Sequence, residues 1–151
     1  AITLLRQANP KVKVIITISP IRYAKYGYHG SQLSKAVLLL TADKVIKEEG
    51  ERVYYFPAYE IVNDELRDYR FYKADMLHPN EQAVEYIWEQ LVATCFSAEA
   101  KQFLEEWRPI KEALAHRPFH PEAAAYQDFI KKTKEKAKML ELKYPNIELN
   151  L

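Results

Sequence analysis

The run Val12-Lys13-Val14-Ile15-Ile16-Thr17-Ile18-Ser19 constrains this chain more than any other stretch. It is rich in β-branched residues and almost continuously apolar from Val14. That is the pattern of a central strand covered on both faces, as in parallel sheets. The run stops at Ser19-Pro20. In open α/β sheets ligands bind beyond the carboxyl ends of the strands, so Ser19, Pro20 and Arg22 fall where chemistry is expected. A loop with three Tyr follows over 21–30, and Ser31 is a plausible N-cap for a helix from Gln32 to about Glu49. Gly50 ends that helix. Val53 to Val62 reads as a second strand, interrupted or ended by Pro57. Strand, helix, strand in this order predicts a parallel βαβ unit with a right-handed crossover.

The next stretch, Asp64 to Asn80, packs Asp64, Glu65, Arg67, Asp68, Arg70, Asp75 and His78 between that strand and a long amphipathic helix. Pro79 biases His78 away from helical backbone, so Asp75 and His78 are predicted in a loop just ahead of the helix. An Asp that accepts from one imidazole nitrogen fixes the tautomer and leaves the other nitrogen as a base. The plainer reading is that the pair caps the helix and the His is satisfied locally. The helix itself, about Asn80 to Phe96, carries Val84, Ile87, Trp88, Leu91, Val92 and Cys95 on one stripe. Cys95 therefore reads as core, not as a nucleophile.

Ser-Pro-Ile-Arg at 19–22, Ser34-Lys35-Ala36, Tyr59-Glu60-Ile61 and the run Asp64 through Pro79 together resemble the C-terminal half of the GSCFA-domain family. That family is itself similar to the SGNH/GDSL ester hydrolases. The resemblance covers roughly residues 1–95. It implies an α/β fold, a parallel-sheet three-layer (SGNH/flavodoxin-like) fragment. In such enzymes the last sequence block is Asp-x-x-His, and Asp75 and His78 match it. The resemblance implies that Asp75 orients His78 and that His78 is the general base. The family's Gly-Ser-Cys-Phe-Ala signature, in the block corresponding to the nucleophile, does not occur here. The implied activity is an ester hydrolase or O-acyltransferase acting on a small-molecule or saccharide ester, with the nucleophile upstream and the fragment alone inactive. The family often has a His after Ser-Pro-x-Arg, where this chain has Tyr23.

Other candidates are weighed against structural roles. Ser19 is the best hydroxyl within the chain, but Ser-Pro is not a nucleophile elbow. Ser31 and Ser34 read as helix-bound. Arg22, Arg67 and Arg70 could hold an anionic substrate, or pair with Asp64, Asp68 and Glu60; the ion-paired reading is preferred. The Tyr clusters at 23, 26 and 28 and at 54, 55, 59, 69 and 72 read as rings on the rim of a core, with a sugar- or aromatic-binding surface as the alternative. A non-catalytic glycan- or protein-binding module is the rival to the enzyme.

From Ser97 the chain changes character, which sets the predicted domains at 1–96 and 97–151, the second a helical extension that packs on the first or reaches a partner. Phe103, Trp107, Ile110 and Leu114 share one helix face, with Pro109 expected to break or kink it. Pro121 is placed at the start of a last helix with Tyr126, Ile130, Thr133, Ala137 and Leu140 in one stripe to about Lys143, ended by Tyr144-Pro145. Lys131, Lys132, Lys134, Lys136 and Lys138 read as a solvated face. His29, His116 and His120 offer no defensible metal spacing, and Pro118 separates the last two. No metal and no cofactor are expected.

The net charge of +1 gives no global field toward nucleic acid or an anionic membrane. The single Cys excludes an internal disulfide. No apolar run approaches the roughly 20 residues that span a bilayer. The opening Ile2, Leu4, Leu5 and Arg6 read as the tail of an amphipathic helix, so the chain is taken as a piece of a longer protein. The missing signal pattern leans toward the cytoplasm. Self-association through an exposed sheet edge or the C-terminal helices is a further expectation.

Overall fold

The computed structural model describes residues 1–149. Two compact units divide the chain, Ala1–Ala93 and the part from Thr94 onward.

The first unit opens with α1 (Ile2–Ala8), which Asn9 ends in extended backbone. Strand β1 (Val14–Thr17) follows, then a 3-10 turn at Ala24–Tyr26 and the long helix α2 (Gly27–Glu49). Gly50, at φ +60°, ends α2 with the left-handed turn that glycine accepts at least cost. Strand β2 (Val53–Phe56) then pairs parallel to β1, Val14 opposite Val53 through Thr17 opposite Phe56. The βαβ unit is thus present. Arg6 of α1 pairs with Glu49 at the end of α2.

The expected three-layer α/β sheet is not. Among the described residues the sheet has two strands of four residues each, and helices make up most of the chain. The apolar run through Val14–Ile18 implied cover on both faces, yet Ile15 is 51% exposed and the strand alternates half-buried with exposed positions. Alternation of that kind belongs to a sheet packed on one face only. The β-branched run carries strand propensity, which fixes the local conformation; it does not specify how many layers lie against it.

The second strand is also shorter than Val53–Val62. Pro57 cannot donate to a ladder, and beyond it the chain turns into the short α3 (Ala58–Glu60) and a π-helical stretch, Ile61–Leu66. The i→i+5 bond from Arg67 N to Val62 O, 3.0 Å, closes the wide turn, and Arg67 leaves it in left-handed backbone at φ +49°. π-Helical segments are rare and often sit at functional sites. Here the segment buries Ile61 and Val62 and delivers the chain to a 3-10 turn, Tyr69–Phe71, which buries Phe71.

Helix α4 (Glu81–Cys95) begins one residue after Asn80, whose Oδ1 accepts from Ala83 N at 3.0 Å. The predicted stripe is buried only in part: Ile87, Leu91, Val92 and Cys95 are half-buried, Val84 and Trp88 are exposed, and the one fully buried side chain of the helix is Ala83, off the stripe.

The second unit holds α5 (Ala98–Ala115) and α6 (Ala124–Lys143). Ser97 caps α5, its Oγ accepting from Ala100 N at 3.1 Å. Pro109 lies inside α5, which is not broken there but continues through it with one helical donor fewer. The predicted stripes meet here. Ile110, Ala137, Leu140 and Tyr144 form the buried cluster, with Phe103, Trp107 and Leu114 against it. Phe103 and Tyr144 meet edge to face at 5.2 Å, and Lys143 Nζ reaches Glu106 Oε1 at 2.5 Å. Pro121 does not start α6: it sits in a turn, and the helix opens three residues later behind Ala123. Lys131, Lys132, Lys134, Lys136 and Lys138 of α6 are exposed, the solvated face expected of them.

Candidate functional site

Where β1 gives out, Ile18 is buried and the chain leaves through Ser19-Pro20. Lys35, in the third turn of α2 and only 8% exposed, donates from Nζ to Ser19 O at 2.6 Å. Burial pulls the Lys35 ammonium below the usual lysine range. The Ser19 hydroxyl is taken up locally, accepting from Ile21 N at 3.3 Å, so it does not point to a nucleophile. Ser31 is not the N-cap: α2 starts four residues earlier, and the buried Ser31 Oγ accepts instead from Tyr23 N at 3.1 Å. Short hydroxyl side chains bond whichever backbone donor is near.

These bonds hold the Pro20–Arg22 segment, and it reaches the other half of the site. Arg22 N donates to Leu77 O at 3.0 Å, and Arg22 Nη1 lies 3.4 Å from Met76 O. Both acceptors belong to a tight loop. Lys73 N donates to His78 O at 2.8 Å and Met76 N to Lys73 O at 2.9 Å, while Tyr72 and Pro79 bridge antiparallel at its neck. Met76 sits at φ +60°, a left-handed conformation unusual for a residue with a Cβ. That turn folds His78 back over Asp75.

Asp75 uses both oxygens. Oδ1 accepts from Leu77 N at 2.9 Å and from His78 N at 3.0 Å. Oδ2 meets His78 Nδ1 at 2.6 Å. The His78 and Leu77 backbone amides, then the imidazole, stabilise the carboxylate and draw the Asp75 pKa down to about 2. An ionised Asp75 makes Nδ1 the protonated nitrogen, which leaves Nε2 unprotonated in the neutral ring. The side chains are 51% and 43% exposed for His78 and Asp75. Neither residue caps α4; Asn80 does, while its Nδ2 donates to Arg70 O at 2.6 Å. Asp75 caps its own turn.

Of the residues singled out from sequence, Asp75, His78, Arg22 and Ser19 are linked through these bonds. Arg70 is not drawn to the pair: its N donates to Asp68 Oδ1 at 2.8 Å and its guanidinium lies over Phe71, 4.8 Å from the ring centroid. The preferred ion pairs do not form among the described residues. Glu60 accepts instead from the Tyr55 hydroxyl at 2.9 and 3.0 Å, and Arg22 lies among tyrosine rings. Burial and the Glu60 charge push the Tyr55 hydroxyl up. Glu65 accepts from the Tyr86 hydroxyl.

Sequence reasoning overlooked Lys35 and Asn80. Asn80 stood directly before a helix with an acidic first turn, a readable cap signal. Lys35 had no signal beyond its place in the Ser34-Lys35-Ala36 segment. His116 and His120 lie in the connector, where His120 Nδ1 is 3.4 Å from Glu122. No group of three His, Cys, Asp or Glu gathers to hold a metal among the described residues, and no helix there is long and apolar enough to cross a membrane.

The GSCFA family profile matches residues 1–91, and the profile of the GSCFA domain protein, C-terminal domain, matches residues 107–151. No curated protein and no solved structure matches the chain. The chain belongs to the GSCFA family.

Proposed function

We propose that Asp75 and His78 are the acid–base pair of an ester hydrolase or O-acyltransferase, acting on a small-molecule or saccharide ester. One observation supports the reading: Asp75 Oδ2 and His78 Nδ1 lie 2.6 Å apart on a half-exposed ring, which leaves Nε2 free of that bond to act as the base. In this reading His78 Nε2 takes the proton of a Ser hydroxyl or Cys thiol as that group attacks the ester carbonyl. The tetrahedral adduct collapses, the C–O bond to the alcohol breaks, and His78 returns the proton to the departing alkoxide. Water or an acceptor alcohol then repeats the sequence on the acyl-enzyme. Asp75 stays ionised throughout and holds the imidazolium. A positioned base of this kind contributes on the order of 10²–10⁴-fold in rate.

Among the described residues no hydroxyl or thiol hydrogen-bonds to His78. In this reading the nucleophile and the oxyanion donors come from a segment outside residues 1–151, and this piece alone is expected to be inactive. A second reading has support of its own. Tyr23, Tyr26, Tyr28 and Tyr69 expose their rings on the surface around Arg22, as a glycan- or protein-binding face would.

The full-length native protein, its His78→Ala variant and the 151-residue piece separate the two. Each is incubated with a fluorophosphonate probe and, in parallel, a thiol-directed acyl probe, with intact mass as the readout. Labelling of the full-length protein alone, lost in His78→Ala, is the expected result. If no form labels with either probe, the enzyme reading fails and the binding module takes its place.

A further inference from the structure

The Arg22 guanidinium sits in an aromatic enclosure. Its Cζ is 4.8 Å from the Tyr28 ring centroid, 5.7 Å from Tyr69 and 5.8 Å from Tyr72. Tyr28 and Tyr69 are exposed and Tyr72 is half-buried, so the enclosure opens to solvent on one side. Burial pushes the Tyr72 hydroxyl up while the Arg22 charge opposes it. No carboxylate among the described residues pairs with Arg22, although Asp64, Asp68 and Glu60 lie on neighbouring segments. The side chain's one hydrogen bond, to Met76 O at 3.4 Å, is long. A guanidinium carries five donors in a planar fork. Most of that fork is uncommitted, and the rings hold its position through their faces, with no hydrogen bond between them and Arg22 among the described residues.

The backbone ties this cation to the catalytic turn. Arg22 N donates to Leu77 O, the carbonyl directly before His78. We propose that Arg22, walled by Tyr28, Tyr69 and Tyr72, is an anion subsite beside His78, taking a carboxylate or phosphate group carried by the substrate. This deepens the ester reading and rests on it for the word substrate; the anion site itself does not depend on catalysis. Bidentate pairing of a guanidinium with an oxyanion supplies both affinity and orientation. The rings orient the guanidinium, and their exposed faces stack a sugar ring next to the charged group.

The test uses the full-length protein and its Arg22→Gln, Arg22→Lys, Tyr69→Ala and His78→Ala variants, titrated calorimetrically with glucuronate, acetate and inorganic phosphate. Saturable glucuronate binding that weakens roughly tenfold in Arg22→Gln is expected, the scale of one charge-assisted hydrogen-bonded pair. Arg22→Lys keeps the charge without the fork and falls in between. Tyr69→Ala, an exposed ring, weakens glucuronate more than acetate. Preference for phosphate over both carboxylates assigns the phosphate source, and the reverse assigns the carboxylate. His78→Ala binds like wild type while losing probe labelling, so loss of the ester reading and loss of the anion site are told apart. If wild type binds none of the three anions saturably, the proposal is overturned. It is equally overturned if Tyr69→Ala and a folded Arg22→Gln both bind as wild type does.

Discussion

Asn80→Ala is the perturbation whose size can be worked out most directly from the structure. Asn80 is half-buried and makes two side-chain bonds in opposite directions: Oδ1 accepts from Ala83 N at 3.0 Å, and Nδ2 donates to Arg70 O at 2.6 Å. Its backbone N, bonded to Phe71 O at 2.8 Å, is untouched by the substitution. Loss of an N-cap costs about 1 kcal/mol. A second hydrogen bond contributes roughly 0.5–1.5 kcal/mol, more where the abandoned partner stays out of water. The sum is about 2 kcal/mol. Asn80→Ser separates the parts, since a serine keeps the cap and cannot reach Arg70; it should cost about 1 kcal/mol. Urea unfolding followed by far-UV circular dichroism measures both. A shift for Asn80→Ala below about 0.5 kcal/mol, or an Asn80→Ser as costly as Asn80→Ala, would refute the claim that this side chain joins the Tyr69–Phe71 turn to α4.

Four further outcomes follow from the geometry. Leu140→Ala, deep in the α5–α6 cluster, should lower stability by about 3 kcal/mol in the same unfolding assay, within the usual range for a buried leucine. The Asp75 carboxylate has a folded pKa depressed to about 2 from an ordinary 3.8, so its contribution to stability is present above about pH 4 and is lost as the pH falls toward 2. Carbon-detected NMR titration of Asp75 should show that midpoint, and Asp75→Asn should remove the acid-side dependence. In the full-length protein Asp75→Asn should also lower turnover of an ester on the order of 10⁴-fold with little change in KM, because the wrong imidazole tautomer is then favoured. Met76 holds left-handed backbone, so Met76→Val should be less stable than Met76→Gly by about 1 kcal/mol or more, read as a difference in urea midpoints.

Much of the first unit was legible. Val14–Thr17, the helix ended by Gly50 and the parallel partner at Val53–Phe56 were readable because strand propensity and glycine punctuation act locally. The Asp75–His78 contact was readable for the same reason: three residues and a proline confine it. The misses share one cause, a neighbour that the local pattern does not name. The three-layer sheet was expected from the apolar run, but cover on a strand's second face is a tertiary fact that four residues do not encode. The period of the stripe from Val84 to Cys95 reads as core, yet Val84 and Trp88 are exposed and Ala83 is the fully buried residue of that helix. Ser31 was read as the cap of its own helix and serves Tyr23 instead. The arginines were paired with acids close in sequence, and tyrosines from two distant segments claimed Arg22 first.

The span of one contact sets an order of events. Asp75 and His78 close a loop of a few residues, an event of roughly 10–100 ns in an unfolded chain. The side chain that steadies their turn comes from Arg22, 54 residues away from Met76, and closing so long a loop carries a larger entropic cost. The pair is therefore shaped early and seated late, after β1 and β2 have met. Substitution at Arg22 then speeds unfolding and leaves the refolding rate near that of the parent, whereas substitution along β1 slows refolding. Stopped-flow refolding would reveal the two limbs separately. On that order of events, a nascent chain is expected to bring the histidine and its carboxylate within reach before the scaffold that aims them has formed.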